Sequence, residues 1–247
     1  MRTRKRLRSG GFVLGGAAVV IVLVLLTTGA FSSSPAKHPG KHPAKKKLSP
    51  QATANQLAVA AHCPASPSAR VNTDTYPSAP AMAISTSSTY TATVKTTAGT
   101  FDVSLDASAA PTTVNNFVFL ADKGYYNCNI FHRVVTGFVD QTGDPTGTGT
   151  GGPGYSFANE NIPAAYASGD VAMANSGGTA TNGSQFFVVV PGGTKTLNTD
   201  LASGNKYSLF GTVTSGMSVV EKINGEGSAT GKPKVVQRIL SVTIHKS

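Results

Sequence analysis

Cysteine is nearly absent from this 247-residue chain, which has only Cys63 and Cys128. They show no CxxC spacing and no thiol cluster, so a cysteine zinc site and thioredoxin-like chemistry have no support. Acid is scarce as well. Eleven Asp and Glu face 21 Lys and Arg, for a formal net charge of +10. Residues 1–50 contain no acid and ten of the bases: Arg2, Arg4, Lys5, Arg6, Arg8, Lys37, Lys41, Lys45, Lys46 and Lys47. The rest holds eleven bases against eleven acids and is neutral. A nucleic-acid binder carries its positive field on the folded part, so nucleic acid is not an expected partner. The glycine-rich "GDPTGTGTGGPG" (143–154) lacks the Gly-Lys-Ser/Thr ending of a phosphate loop and reads as a turn-rich loop. Histidine is sparse too. His38 and His42 stand among prolines with no carboxylate or thiol nearby, which argues against a metal site. Strand alternation turns His132 away from Arg133, so His132 is expected to be a structural hydrogen-bonding residue. No internal repeat is present.

Only one long apolar run occurs, "FVLGGAAVVIVLVLLTTGAF" (12–31), preceded by the basic "MRTRKRLR". About twenty uncharged residues just span a hydrocarbon core of about 30 Å as a helix, and the flanking arginines favour the cytoplasmic side. Residues 12–31 therefore read as a transmembrane anchor after a cytoplasmic basic segment at 1–11. The alternative is a cleaved secretory signal with "TGA" (28–30) as its small-residue site. Either puts residues 32–247 outside the cytoplasm, in a single-pass protein of the cell membrane or in a secreted one. Residues 32–85 read as a Pro/Lys/Ala-rich linker with a short helical piece, "ATANQLAVAAH" (52–62). In an oxidising compartment an isolated cysteine pair is often bridged. A Cys63–Cys128 disulfide is expected, with two unpaired thiols as the alternative.

From residue 86 the texture changes to alternation and turns. "TYTATVKTTAGTFDVSL" (89–105) predicts two strands, with Tyr90, Ala92 and Val94 on one face of the first and Phe101, Val103 and Leu105 on one face of the second. "PTTVNNFVFLADKG" (111–124) predicts a helix with Pro111 in its first turn and Val114, Phe117, Val118 and Ala121 as its buried stripe. Further short strands are read at "NIFHRVV", "GFVDQ", "GDVAMAN", "GSQFFVVV" and "YSLFGTV". A helix at "GMSVVEKI" and a final strand at "VVQRILSVTI" complete the set. The sum predicts a mostly β domain over 86–247, a closed eight-stranded antiparallel barrel capped by two helices. Within it, "FHRVVTGFVDQTGD" (131–144) carries an arginine that cannot shed its charge. Arg133 either pairs with a surface acid or serves something that needs fixed donors. In "GSQFFVVV", Gln185, Phe187 and Val189 share one face, a mixed wall suited to an amphipathic pocket.

In their order and spacing, "FHRVVTGFVDQTGD", "GTGTGGPGYSFANE", "VAMANSGGTATNGSQFFVVV" and "YSLFGTV" resemble a cyclophilin, a peptidyl-prolyl cis-trans isomerase, of a bacterial, membrane-anchored or secreted kind. The resemblance covers about residues 89–246. It implies that Arg133 is the catalytic arginine, with Phe138 and Gln141 beside it and Val139 where methionine is usual. It also implies that Gly149, Ala174, Asn175 and Ser176 form a groove along the substrate backbone, Ser176 replacing a common alanine. Gln185 and Phe187 would form a polar and aromatic wall, Tyr207 would stand in for a frequent histidine, and Phe210 would close the floor. The apolar rim residue is Leu201 or Leu197, with Leu201 preferred. Many eukaryotic members place a tryptophan on this rim. The chain has none, which counts against tight binding of cyclosporin. By the same resemblance the protein is a monomer that acts on proline-containing polypeptides without cofactor or metal. Two other classes stay open: a non-catalytic proline-binding, scaffold or chaperone module tethered at the membrane surface, and a wall- or lipid-binding protein working through its lysines.

Overall fold

The computed structural model describes residues 47–178 and 180–247. The expected anchor or signal at 12–31 and the spacer up to residue 46 lie outside the described residues. Among the described residues no helix is long and apolar enough to cross a membrane. The first element is α1 (Pro50–Ala60), with Pro50 in its first turn and the Ser49 hydroxyl accepting from the Ala52 N–H. It buries only Ala54 and Ala58.

Alternation then builds a hairpin. In β1 (Tyr90–Thr96) Tyr90, Ala92, Val94 and Thr96 are buried, and β2 (Thr100–Leu105) buries Phe101, Val103 and Leu105. Successive side chains of a strand leave opposite faces, so the pair presents one apolar face. Helix α2 (Pro111–Asp122) covers part of it with Val114, Phe117, Val118, Leu120 and Ala121. The chain continues through β3 (Arg133–Val135), β4 (Val139–Thr142), β5 (Asp170–Met173), β6 (Phe186–Val189), α3 (Gly193–Ala202), β7 (Leu209–Ser215), α4 (Met217–Gly225) and β8 (Ile239–Lys246). The core is aromatic at its centre. Phe117 stacks on Tyr126 at 5.0 Å between ring centres and meets Phe186 and Phe210 at 5.5 and 5.2 Å.

The eight strands pair antiparallel in the order β3-β4-β6-β5-β7-β2-β1-β8. The expected closed barrel is therefore corrected to a curled half-barrel, open between β3 and β8. The reason lies in the chain between α4 and β8, which runs beside β3 as irregular backbone. The Val134 N–H donates to the Gly231 carbonyl at 2.8 Å, and the Ser228 N–H donates to the Val134 carbonyl at 3.1 Å. Loop groups thus satisfy the edge that a closing strand would occupy. The described residues hold four helices: the two expected caps, α1 where a short helical piece was read in the linker, and α3, which was not expected.

The stretch after α1 lies over the body as a strap. Cys63 and Cys128 are joined by a disulfide. Arg238, 2% exposed, donates to the carbonyls of Cys128 and Ser66. Further along, the Asn72 side-chain amide donates to the Tyr125 carbonyl at 2.9 Å, and the Tyr76 ring meets Phe119 edge-on at 5.0 Å. Asn115 of α2 accepts from the Ala83 and Ile84 amides and donates to the Pro80 and Ala81 carbonyls. Residues 63–85, which read as linker, are thereby held at both ends and in the middle.

Candidate active site

Strands β4 and β6 each serve two environments. Phe186 and Val188 belong to the main core, while Val139, Phe187 and Val189 belong to a second apolar cluster on the other face of the sheet. The register aligns that second face. Arg133 opposes Gln141, Gln141 opposes Phe187, Phe187 opposes Ala172, and Ala172 opposes Leu209. Directly opposed residues share a face, so one row crosses five strands with a charge at one end and apolar groups at the other.

The apolar part is a cleft. Val139, Tyr166, Ala172, Phe187, Val189 and Leu197 form its base, with Phe138, Ala174, Leu201, Tyr207 and Leu209 half-buried around them. Phe187 meets Tyr207 edge-on at 5.3 Å. Leu197 is 1% exposed and Leu201 is half-buried, so of the two candidate rim leucines Leu201 is the more accessible one. Tyr166, which no sequence signal marked, holds Tyr207 in place. Its hydroxyl donates to the Tyr207 carbonyl and accepts from the Tyr207 N–H at 3.1 Å. Burial pushes the Tyr166 hydroxyl up to about 12, which keeps it protonated as a donor.

The polar part is a relay. Arg133 is exposed, and its guanidinium carbon stands 5.8 Å from the Phe138 ring centre. Among the described residues its guanidinium makes one side-chain hydrogen bond, a long one of 3.4 Å to Gln141 Oε1. The partner is an amide and not the surface acid that pattern alone allowed. Gln141 Nε2 donates to Gln185 Oε1 at 2.9 Å, and Gln185 Nε2 donates to the carbonyls of Gly149 and Gly151, each at 2.9 Å. Every amide in the series has its orientation fixed by its neighbours. Arg133, at the open end, keeps most of its five donors for a ligand.

Beyond Gln185 lies a groove of about 380 Å³ lined by Gln141, the loop Gly149–Pro153, Tyr155, Ala174, Asn175, Ser176, Thr181 and Gly183–Gln185. The Asn175 side chain is turned inward, donating to the Lys206 carbonyl at 2.8 Å. The Ala174 N–H donates to the Gln185 carbonyl at 2.9 Å. Among the described residues the Ala174 carbonyl and the Asn175 N–H have no hydrogen-bond partner, and both residues line the groove. Ser176 is exposed at the groove's margin.

Asp144 builds the groove's loop wall. Its carboxylate accepts from the Thr146 N–H and hydroxyl, both at 2.7 Å, and from the amides of Thr148, Gly149 and Gly151 at 3.1, 2.6 and 3.1 Å. Burial pushes this carboxyl up, but the donors from Thr146, Gly151 and Gly149 outweigh it and hold the group below its ordinary value. The loop closes so tightly on the carboxylate that a Cβ at Gly151 would collide with Asp144 Oδ1.

Two expected placements are corrected. Phe210 does not close the floor of the cleft. It is fully buried in the main core against Phe117 and Phe186, because alternation along β7 gives the cleft face to Leu209. His132 does lie off the Arg133 row, but among the described residues neither ring nitrogen has a hydrogen-bond partner, so the hydrogen bonds expected of it are not made there. Burial lowers its pKa and favours the neutral ring. The remaining predicted residues, Arg133, Phe138, Val139, Gln141, Gly149, Ala174, Asn175, Ser176, Gln185, Phe187, Leu201 and Tyr207, come together along the row, the cleft and the groove. Ala172 and Leu209 were not singled out, although strand alternation was enough to find them.

Comparison with known proteins points one way. Residues 91–244 match the family model described as cyclophilin type peptidyl-prolyl cis-trans isomerase/CLD. The chain is 44% identical over 153 residues to a peptidyl-prolyl cis-trans isomerase-like 1 of Aspergillus oryzae, covering 58% of this chain and 89% of the relative. It is 42% identical over 137 residues to a peptidyl-prolyl cis-trans isomerase of Helicobacter pylori, covering 53% of this chain and 78% of that one. Among solved structures, a Cryptosporidium parvum cyclophilin type isomerase superposes with a TM-score of 0.56 at 30% identity, covering 64% of this chain and 99% of the other. The same protein in the presence of the dipeptide Ala-Pro gives 0.56 at 32% identity, with the same coverage.

Proposed function

The chain belongs to the cyclophilin type peptidyl-prolyl cis-trans isomerase family, and from that premise we propose how its residues turn an Xaa–Pro bond and where they do so. The barrier to rotation, near ~20 kcal/mol, is lost amide resonance, and unaided crossing takes tens of seconds or more. No bond has to be made or broken. In the twisted transition state the prolyl nitrogen becomes pyramidal and accepts a hydrogen bond that it cannot accept when planar. Arg133 is the donor to that nitrogen. Because the bond exists only in the twisted state, it lowers the barrier without tightening the ground state.

Phe138, Val139, Phe187 and Leu201 grip the pyrrolidine ring, with Tyr207 closing one side. Gln141, the Ala174 carbonyl and the Asn175 N–H hold the flanking peptide groups, so that rotation occurs on one side of the bond only. The observation that carries this reading is the position of Arg133. It opposes Gln141 in the same row as Phe187, and among the described residues its guanidinium is tethered by a single 3.4 Å bond. The substrates are proline-containing segments of exported polypeptides, met outside the cytoplasm by a monomer anchored through residues 12–31. The charge and apolarity of residues 1–31 support this location.

The test is the cis-to-trans rate of a short Xaa–Pro peptide, followed by NMR exchange or a protease-coupled assay, for wild type and Arg133→Ala. Loss of one preorganised donor lowers turnover by about 10²–10³, while peptide binding changes far less. Arg133→Lys does not rescue it, since a point charge lacks the planar fork. If Arg133→Ala keeps more than about a third of an active wild type's rate, far outside the donor-loss range, the arginine mechanism is wrong. A wild type that binds peptide without turning it over identifies the non-catalytic module instead. Recovery in the membrane fraction, with the domain open to external protease, tests the location.

A further inference from the structure

Nothing in the isomerase reading uses the strap, yet the strap touches the groove's far wall. The loop Gly149–Pro153 is held at three places. Asp144 fills its interior, and Gln185 takes the carbonyls of Gly149 and Gly151 on the sheet side. On the outside, the strap takes the loop's far end and the chain that leads into it: the Tyr76 N–H donates to the Pro153 carbonyl at 2.8 Å, and the Val71 N–H donates to the Pro145 carbonyl at 3.0 Å. Gly154 marks how close the two chains run. A Cβ there would stand 3.1 Å from both the Thr75 Cβ and the Tyr76 carbonyl.

We propose that residues 63–76 are a brace, latched by the Cys63–Cys128 disulfide, that positions the Gly149–Pro153 wall and so sets how well the groove takes the peptide residues flanking proline. The geometry separates this role from the ring cleft. Phe187, Val139 and Leu201 lie in a cluster that includes no strap residue, whereas the groove contains five consecutive residues of the braced loop. The brace also has its own anchors, independent of the loop. The disulfide fixes one end, Arg238 holds the Ser66 carbonyl, and Asn72 reaches the Tyr125 carbonyl. Tyr76 then packs on Phe119, so a fixed backbone presents its two amides five residues apart to the two proline carbonyls. Strap residues are thus positioning residues. They act on substrate through the loop and touch no reacting atom.

The inference rests on reading the groove as a peptide site, and the experiment keeps the two apart. Two ligands are titrated calorimetrically against the full chain: a blocked Ala-Pro dipeptide, confined to the ring cleft, and a longer proline peptide whose flanking residues reach the groove. Turnover of the longer peptide is recorded in parallel. With Cys63→Ser/Cys128→Ser, binding of the longer peptide weakens about threefold to tenfold, the worth of roughly one hydrogen bond. Dipeptide binding stays within about twofold, inside the range of a neutral surface change. Hydrogen exchange at the Gly149 and Gly151 amides quickens in the same variant. If the double variant does not fold, Asn72→Ala, which leaves the disulfide in place, decides the matter by the same comparison. Equal weakening of both ligands, or of neither, overturns the brace. A wild type that binds both but turns over neither overturns the isomerase mechanism and leaves the binding comparison to decide the brace. A wild type that binds neither overturns both.

Discussion

Asp140→Asn should stabilise the protein, and should do so more at alkaline than at acid pH. Asp140 sits between two cleft residues, Val139 and Gln141, but its side chain enters the opposite face and is fully buried. Oδ1 accepts from the Asn224 side-chain amide at 2.8 Å, and among the described residues Oδ2 has no partner. Burial pushes the carboxyl up from 3.8 to about 7 despite the Asn224 bond. In the unfolded chain the group ionises near its ordinary value, so between these limits the folded state binds more protons and stability falls as pH rises. At about 1.36 kcal/mol per pKa unit, the whole window is worth about 4 kcal/mol. Some 2.5 kcal/mol of it, roughly, is lost between about pH 5 and pH 8. Asparagine cannot ionise and keeps an acceptor for Asn224. The stability difference between variant and wild type should therefore grow by about 2.5 kcal/mol from pH 5 to pH 8, or about 5–10 °C in Tm. Guanidinium unfolding of both proteins at the two pH values measures it, and isomerase turnover should not change because Asp140 faces away from the cleft. Parallel pH dependence in variant and wild type would show that Asp140 is not a proton-binding liability of the fold.

Asp144 should behave in the opposite sense. Its depressed carboxyl contributes stability that is complete above the ordinary value of 3.8 and drains away as pH falls through the lower folded value. Asp144→Ala should cost about 3 kcal/mol at neutral pH by leaving loop amides unpaired, and should abolish that acid-side slope in a chemical-denaturation series. Reducing Cys63–Cys128 reopens a loop spanning a sequence separation of 65, and the chain-entropy picture gives a loss of about 4 kcal/mol. Unfolding with and without a dithiol reductant reads it directly. A fragment of residues 86–247 should still unfold cooperatively, because its strands and α2 carry the main core, but at a lower temperature. A non-cooperative melt would show that residues 47–85 belong to the folding unit.

How much of this was legible depended on the range of the interaction. Alternation in β1, β2 and β6 and the stripe on α2 are local signals, and those elements lie where the pattern put them. The row from Arg133 to Phe187 was approachable because each member sits in a motif with recognisable neighbours. Phe210 was misplaced although alternation along "YSLFGTV" already pairs Leu209 with Tyr207 and leaves Phe210 on the other side. Helix α3 was missed because its apolar signal is only Leu197 and Leu201, and no side chain caps its start. The opening between β3 and β8, the hub at Asp144 and the path of the strap all depend on contacts between residues far apart in the chain. An aspartate in a glycine-rich loop looks alike whether it is solvated or gathers the loop's donors. Nor does a Pro/Ser-rich stretch reveal that Asn115 will bind its backbone.

The covered edge of β3 has a consequence for how a flexible chain can be held. An exposed edge invites an incoming peptide to join the sheet as another strand, with its main chain hydrogen-bonded at every second residue. Peptide planes locked in that way cannot turn. Here the Gly231 carbonyl and the Ser228 amide already occupy Val134, so a visiting segment cannot join the sheet there, and in the proposed reading it lies across the face of the sheet. In that reading one flank of such a guest is gripped while the other remains in solvent. The fold would then act as a vice with a single jaw closed, and the free half of the guest would swing through the half-turn that separates its two isomers.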